Sequence, residues 1–158
     1  MTNIKIERIT SADSSTAEAI SLLLKQLSSQ EFSFSERELS ALINDPSSSL
    51  FLLFAEDKIA GMLTLGTYLS PTGRKAWVED VVVDSTYRGK GYGKQLMRHL
   101  ARVAKQEGCG RFEWSVLDWN EPAIGFYESL GATVMLDWRI CRLTGEALDR
   151  FAGNEGSK

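Results

Sequence analysis

Histidine and cysteine are scarce in this chain, with one His and two Cys among 158 residues. Cys109 and Cys141 form neither a zinc-ligand spacing nor a disulfide framework, so no metal is expected. Both are read as packing residues, one just after the helix-ending Gly108 and the other inside an apolar strand-like run. The lone His99 falls mid-helix on the charged side with Arg98 and Arg102, a solvated side chain rather than a catalyst. Positive charge is not in excess: the formal net charge is -3, which argues against a polyanion-binding face and so against nucleic acid. No apolar run approaches the roughly 20 residues of a membrane span. Residues Met1 to Glu7 lack a charged segment leading into an apolar stretch, so no signal peptide and a cytoplasmic location are expected. Repeats, linkers and low-complexity blocks are absent too.

What is present suits one globular domain. The apolar share is 43% and the charged share 25%, ordinary for a soluble protein. A chain of this size hides roughly 70% of its unfolded surface on folding, enough for a core without metal or disulfide. A single domain over residues 1–152 is expected, with Gly153 to Lys158 as a frayed, disordered tail.

Ile4, Ile6 and Ile9 begin with a strand-like run. Ser15 and Glu18 have capping-box spacing before a helix whose Ile20, Leu23, Leu24 and Leu27 repeat at helical intervals. Ser35 and Glu38 repeat that spacing before a shorter helix with Leu39, Leu42 and Ile43, and Phe34 is placed to staple against Leu39. From Leu50 the period changes. Residues 50–55 and 59–69 read as a hairpin, and 76–83 as a third strand. A helix over 91–107 ends at Gly108 and carries Leu96, Met97, Leu100, Ala101 and Ala104 as its apolar stripe. Residues 111–116 predict a strand, 121–130 a helix, and 133–143 two strands broken near Asp137. The order β-α-α-β-β-β-α-β-α-β-β is that of a mixed α+β fold around one sheet.

The most informative stretch is Arg88-Gly89-Lys90-Gly91-Tyr92-Gly93-Lys94, between an apolar strand and a helix. Alternate glycines permit a tight turn and let a ligand approach unshielded amides. Those amides, with the orphan donors and positive dipole end of the helix, suit phosphate. Arg88, Lys90 and Lys94 add charge. A Rossmann fingerprint is excluded because Lys94, not Gly, lies three residues after Gly91. A Walker loop is excluded because Arg88 stands where its first Gly belongs and Gln95 where its Ser or Thr belongs.

This block, with the apolar strand before it and the amphipathic helix after it, resembles the Arg-x-x-Gly-x-Gly signature of the GNAT N-acetyltransferases. A second block agrees: Asn120, Ala123, Tyr127, Gly131 and Ala132 stand as in that family's "N-x-x-A-x-x-x-Y-x-x-x-G-[FA]" element. The element order also matches, so the resemblance covers nearly the whole chain. It implies the GNAT fold, with a central, mostly antiparallel mixed sheet flanked by helices, and acetyl-CoA as co-substrate. It further implies that backbone groups of Val81, Val82 and Val83 pair with the pantetheine arm like an added strand. Amides of Arg88, Gly89, Lys90, Gly91, Tyr92, Gly93 and Lys94 would cradle the pyrophosphate. Asn120 would bond the pantetheine and Tyr127 would lie near the thioester sulfur. Dimerisation through the C-terminal strands is implied by the same resemblance. Trp77 to Val81, Trp119 to Pro122, and Trp138-Arg139 resemble the diamine and thialysine branch, although the stretch before Trp138 departs from it.

Acetylating a primary amine poses a proton problem. With a lysine-like pKa near 10.4, about one part in a thousand is neutral at pH 7.4, and deprotonation costs roughly 4 kcal/mol. A carboxylate near the amine answers that need. Glu79 and Asp80 are adjacent carboxylates in an otherwise apolar strand. In a regular strand Glu79 shares a face with Trp77 and Val81, and Asp80 with Val78 and Val82; a bulge would change this. Glu79 is the first choice of base and Asp80 the second. Tyr127 is the candidate acid for the departing thiolate. The four tryptophans are read mostly as core, with Trp77 and Trp138 as candidates to line a pocket.

The function expected is acetyl transfer to a small cationic amine, with neither nucleic acid nor membrane as partner. Two other readings compete with it. One is a non-catalytic acyl-CoA-binding regulator on the same fold, which would not need Glu79, Asp80 and Tyr127. The other is acetylation of protein N-termini or lysines, which needs an open groove beside residues 28–46.

Overall fold

The computed structural model describes residues 3–153, and the chain divides into two compact units between Ser115 and Val116. The first opens with strand β1 (Ile4–Arg8) and helices α1 (Ser14–Leu27) and α2 (Glu36–Asn44). Strands β2 (Ser48–Ala55), β3 (Lys58–Ser70) and β4 (Gly73–Val83) follow. A 3₁₀ turn (Ser85–Tyr87) leads to helix α3 (Tyr92–Gln106) and strand β5 (Arg111–Glu113). The strands lie in chain order in one sheet, antiparallel except for the parallel β4–β5 pair. That is the expected mixed, mostly antiparallel sheet.

Local chemistry accounts for most of the boundaries. The box at Ser35 and Glu38 forms: the Ser35 amide donates to Glu38 at 2.6 Å, and Ser35 Oγ accepts from the Glu38 amide. These bonds hold the Glu38 carboxyl below its usual range. The box expected at Ser15 and Glu18 does not form. Asp13 caps α1 instead, accepting from the Thr16 amide at 2.7 Å, because a carboxylate two residues upstream reaches the first-turn amides first. Glu56 and Asp57 adopt the left-handed φ values, 51° and 64°, that a two-residue hairpin between β2 and β3 requires.

Helices α1 and α2 cover one face of the sheet. Ala17, Ile20, Leu23 and Leu39 form a buried cluster with Leu50, Leu52, Met62 and Val82. Helix α3 packs on β3 and β4 through Leu96 and Leu100, both fully buried. Each such leucine contributes roughly 1.5–3 kcal/mol by leaving water. His99 is half-buried rather than solvated. Its ring meets Phe51 edge-on at 5.4 Å, and burial followed by Arg102 lowers its proton affinity.

The second unit holds helices α4 (Glu121–Ser129) and α5 (Gly145–Phe151). Helix α4 stands where the sequence predicts it, and Gly131 follows it with φ 92°. The two strands expected over 133–143 are not formed among the described residues. A strand needs a ladder partner for its amides and carbonyls, and no other extended segment of this unit supplies one. Nor does any described residue of this unit reach full burial: Trp119, Trp138 and Leu136 are exposed, against the expectation that the tryptophans are mostly core. A unit of about 40 residues encloses little volume. Cys141 is exposed for the same reason, while Cys109 of the first unit is half-buried, with burial raising its thiol pKa. Of the expected tail, only Gly153 lies within the described residues.

Candidate active site

Strand β4 carries the two carboxylates, and it is not regular. Glu79 faces Thr64 on β3 and Val82 faces Met62, so Asp80 and Val81 together oppose Leu63 alone. This is a β-bulge, and Asp80 takes its left-handed position with φ 53°. The expected face assignment changes accordingly. Glu79 keeps Trp77 as its same-face neighbour, but the next residue on that face is Val82, not Val81. Paired residues share a face, which places Glu79 with Thr64 on the side where Met62 and Val82 meet α1 and α2. Asp80, which a regular strand would put with buried Val78 and Val82, is released by the bulge to the surface.

The two carboxylates differ in environment. The Trp77 indole N–H donates to Glu79 Oε1 at 2.7 Å, fixing that side chain's direction. Although Asp80 as a residue is exposed, its carboxyl gives up part of its water, and it is pushed above its ordinary value first by that desolvation and then by the neighbouring Glu79 charge. A raised carboxyl favours its protonated form, so folding is helped below the unfolded pKa and that help is lost as pH rises through the folded one. Asp80→Asn removes the charge while keeping a residue that tolerates a left-handed φ. The variant should therefore melt higher than wild type at neutral pH, with the gain shrinking toward about pH 4. Thermal melts across that range check it; a variant that melts lower at pH 7 contradicts an unfavourable charge at Asp80.

From Val78 onward, through the bulge, β4 has a free edge. Strand β5 pairs only with Lys75, Ala76 and Trp77, so Val78 to Val83 have no strand on that side among the described residues. A 3₁₀ turn joins the end of that edge to the glycine turn. Gly89 and Gly91 both have φ 78°, and a Cβ built on either meets nothing within 4 Å. Gly91 is also the N-cap of α3 and supplies no side-chain cap, so its first-turn amides are available to an anion. Arg88 Nε donates to the Val83 carbonyl at 3.1 Å, tying the turn to the strand end. The Lys90 ammonium lies 5.4 Å from the Tyr87 ring centre, and Lys94 is exposed. Tyr92 points into the core, 5% exposed, and its hydroxyl is buried without a hydrogen-bond partner among the described residues. Only its backbone can serve the turn.

Asn120 and Tyr127 both belong to α4 of the second unit, at its N-cap and about two turns in. Asn120 caps α4, its Oδ1 accepting from the Ala123 amide at 3.3 Å, which leaves its Nδ2 donors for another partner. Burial raises the Tyr127 phenol pKa and so keeps its proton on at neutral pH. Its ring lies 5.5 Å from that of Phe126. The first unit thus carries Glu79, Asp80, Val81 to Val83 and Arg88 to Lys94, and the second carries Asn120 and Tyr127. The Trp77–Glu79 bond was not anticipated, although an i, i+2 spacing on one strand is a signal for it.

A family model described as the acetyltransferase (GNAT) family matches residues 17–132. The chain belongs to the GNAT acetyltransferase family. An L-ornithine N5-acetyltransferase of Arabidopsis thaliana is 41% identical over 115 residues, 67% of this GNAT chain and 48% of that protein. A thialysine N-epsilon-acetyltransferase of Sus scrofa is 39% identical over 89 residues, 54% of this chain and 52% of that protein. The chain therefore spans about half the length of these curated relatives, which belong to the branch its motifs resemble. A solved aminoglycoside acetyltransferase from an uncultured soil metagenomic sample shares the GNAT fold with a TM-score of 0.79. That likeness holds at 22% identity and covers 90% of this chain and 97% of that one. No described helix is long and apolar enough to cross a membrane, and no described cluster of three or more His, Cys, Asp or Glu could hold a metal.

Proposed function

We propose that this GNAT chain is an acetyl-CoA-dependent N-acetyltransferase acting on a small cationic amine, as a cytoplasmic protein and a homodimer. The observation that carries the reading is one strand. Strand β4 presents a carboxylate pair at its bulge and a free edge from Val78 to Val83, and a 3₁₀ turn joins its end to an anion-suited glycine turn. A regulator that only sensed acyl-CoA would have no use for the pair. The names of the relatives, an ornithine and a thialysine acetyltransferase, favour an amine acceptor.

The residues fit the co-substrate. The free edge of Val81, Val82 and Val83 suits an amide-bearing arm, and the amides from Arg88 to Lys94 suit a pyrophosphate. Bound acetyl-CoA would supply a thioester acyl group and a thiol leaving group. Glu79, aimed by Trp77, would accept the proton of the incoming ammonium. Asp80, with its raised proton affinity, stands as the second acceptor. Tyr127, held protonated by burial, would give its hydroxyl proton to the departing sulfur, and the free Nδ2 of Asn120 would bond the pantetheine.

Gly91→Asn tests the cofactor site. Asn tolerates left-handed φ better than other side chains, so the fold should persist while the new side chain fills the space that phosphate needs. Gly108, at the other end of α3, has the same φ of 78° and equally open surroundings. Gly108→Asn is therefore a matched control for backbone cost. Calorimetry should show coenzyme A affinity falling by about tenfold or more, one hydrogen bond's worth of free energy, in Gly91→Asn only. Equal affinities in the two variants would remove the turn from the site.

A further inference from the structure

The glycines that open the turn to a ligand also leave it conformationally free, so something outside it must hold it ready. Ordering a flexible backbone costs free energy, and an unheld turn would meet that cost on binding. Helix α3 fixes the far side through Tyr92 and Leu96. On the near side a side chain of α1 clamps it. Gln26, in the last turn of α1, donates from Nε2 to Asp84 Oδ2 at 2.9 Å, and its Oε1 accepts from the Ser85 amide at 2.9 Å. Both polar ends of one amide are used on adjacent residues, 58 and 59 positions along the chain.

The clamp closes a small network. Asp84 Oδ1 accepts from the Thr86 amide at 2.9 Å and from the Thr86 hydroxyl at 2.6 Å. The Asp84 amide donates to the Ala60 carbonyl on β3 at 2.9 Å. Every oxygen of the Asp84 carboxylate is thus engaged, and these donors, with Arg88, favour its ionised form. Those donors hold the charged carboxylate in one orientation, between Gln26 and Thr86. Gln26 is itself exposed, so its removal uncovers no core.

We infer that Gln26 is a positioning residue for the cofactor turn: its side-chain amide presets the segment Asp84 to Arg88 by holding the Asp84 carboxylate and the Ser85 amide together. The inference rests on the proposed placement of acetyl-CoA at the glycine turn. It makes α1, on the α1–α2 face of the sheet, a determinant of cofactor affinity without touching the cofactor.

Gln26→Leu and Gln26→Glu test it by coenzyme A calorimetry, with melting temperatures in parallel. Gln26→Leu should weaken affinity about tenfold, the effect of 1.4 kcal/mol, while kcat at saturating acetyl-CoA and the melting temperature stay near wild type. Gln26→Glu can still accept from Ser85 but sets a carboxylate against Asp84. Its loss should be larger and should shrink as salt rises. The double variant Gln26→Leu, Asp84→Ala should lose no more than the worse single variant, since the two act as one unit. Wild-type affinity in both Gln26 variants overturns the inference, as does a lowered melting temperature with unchanged affinity. If Gly91→Asn leaves coenzyme A binding intact, the placement of the cofactor fails, and that result is distinct from either of these.

Discussion

Tyr127→Phe should lower kcat by about 10²-fold or more, the size of a lost acid–base group, while coenzyme A affinity and melting temperature stay near wild type at neutral pH. The substitution keeps the ring and its contact with Phe126, and removes only the hydroxyl. Burial raises the phenol pKa, so the proton to be donated is present throughout the neutral range. The same shift has a stability sign. For an acid whose folded pKa is raised, the stabilisation is complete below the unfolded value, near 10 for a phenol, and is lost as pH climbs through the folded one. Wild type should therefore lose melting temperature relative to the Phe variant only above about pH 10. Unchanged kcat under chemistry-limited conditions would make the hydroxyl a bystander. A large loss of stability at neutral pH would make Tyr127 a packing residue of α4.

Glu79→Gln should lower kcat/KM for the best amine by about 10²-fold at neutral pH with cofactor affinity unchanged. Gln keeps the shape and can still accept from the Trp77 indole, so the side chain stays aimed. What it loses is the ability to take a proton. The deficit should shrink as pH rises toward the amine's own pKa near 10.4, because the acceptor then arrives neutral. A deficit that persists at high pH would assign Glu79 to binding the amine rather than deprotonating it. Full activity at neutral pH would pass the base to Asp80, whose proton affinity the bulge environment already raises.

How much of this could be read beforehand follows from the range of each interaction. Helices α1 and α3 were legible because Ile20, Leu23, Leu96 and Leu100 repeat at helical spacing, a local signal that the core then uses. The glycine turn was legible because left-handed φ at Gly89 and Gly91 is encoded by the glycines themselves. The bulge was not. Asp80 takes φ 53° without being glycine, and only the register against Thr64 and Met62 shows it. The cap at Asp13 was missed because Ser15 and Glu18 also fit the pattern, and geometry decides between two local candidates. The Gln26 clamp carries no sequence signal, since its partners lie 58 and 59 residues away. The stretch 133–143 misled in the other direction: its apolar residues fit a strand, but a strand is completed by a neighbour that no local pattern supplies.

The proposed reaction is tested most directly by following thiol release from acetyl-CoA across a panel of primary amines, with the amine product weighed by mass spectrometry. The account predicts that free coenzyme A appears in equal amount with a singly acetylated small cationic amine, and that both signals fall together in Glu79→Gln and Tyr127→Phe. Tight coenzyme A binding with no amine-dependent thiol release from any small amine or peptide in the panel would contradict it and leave an acyl-CoA-binding regulator on the GNAT fold.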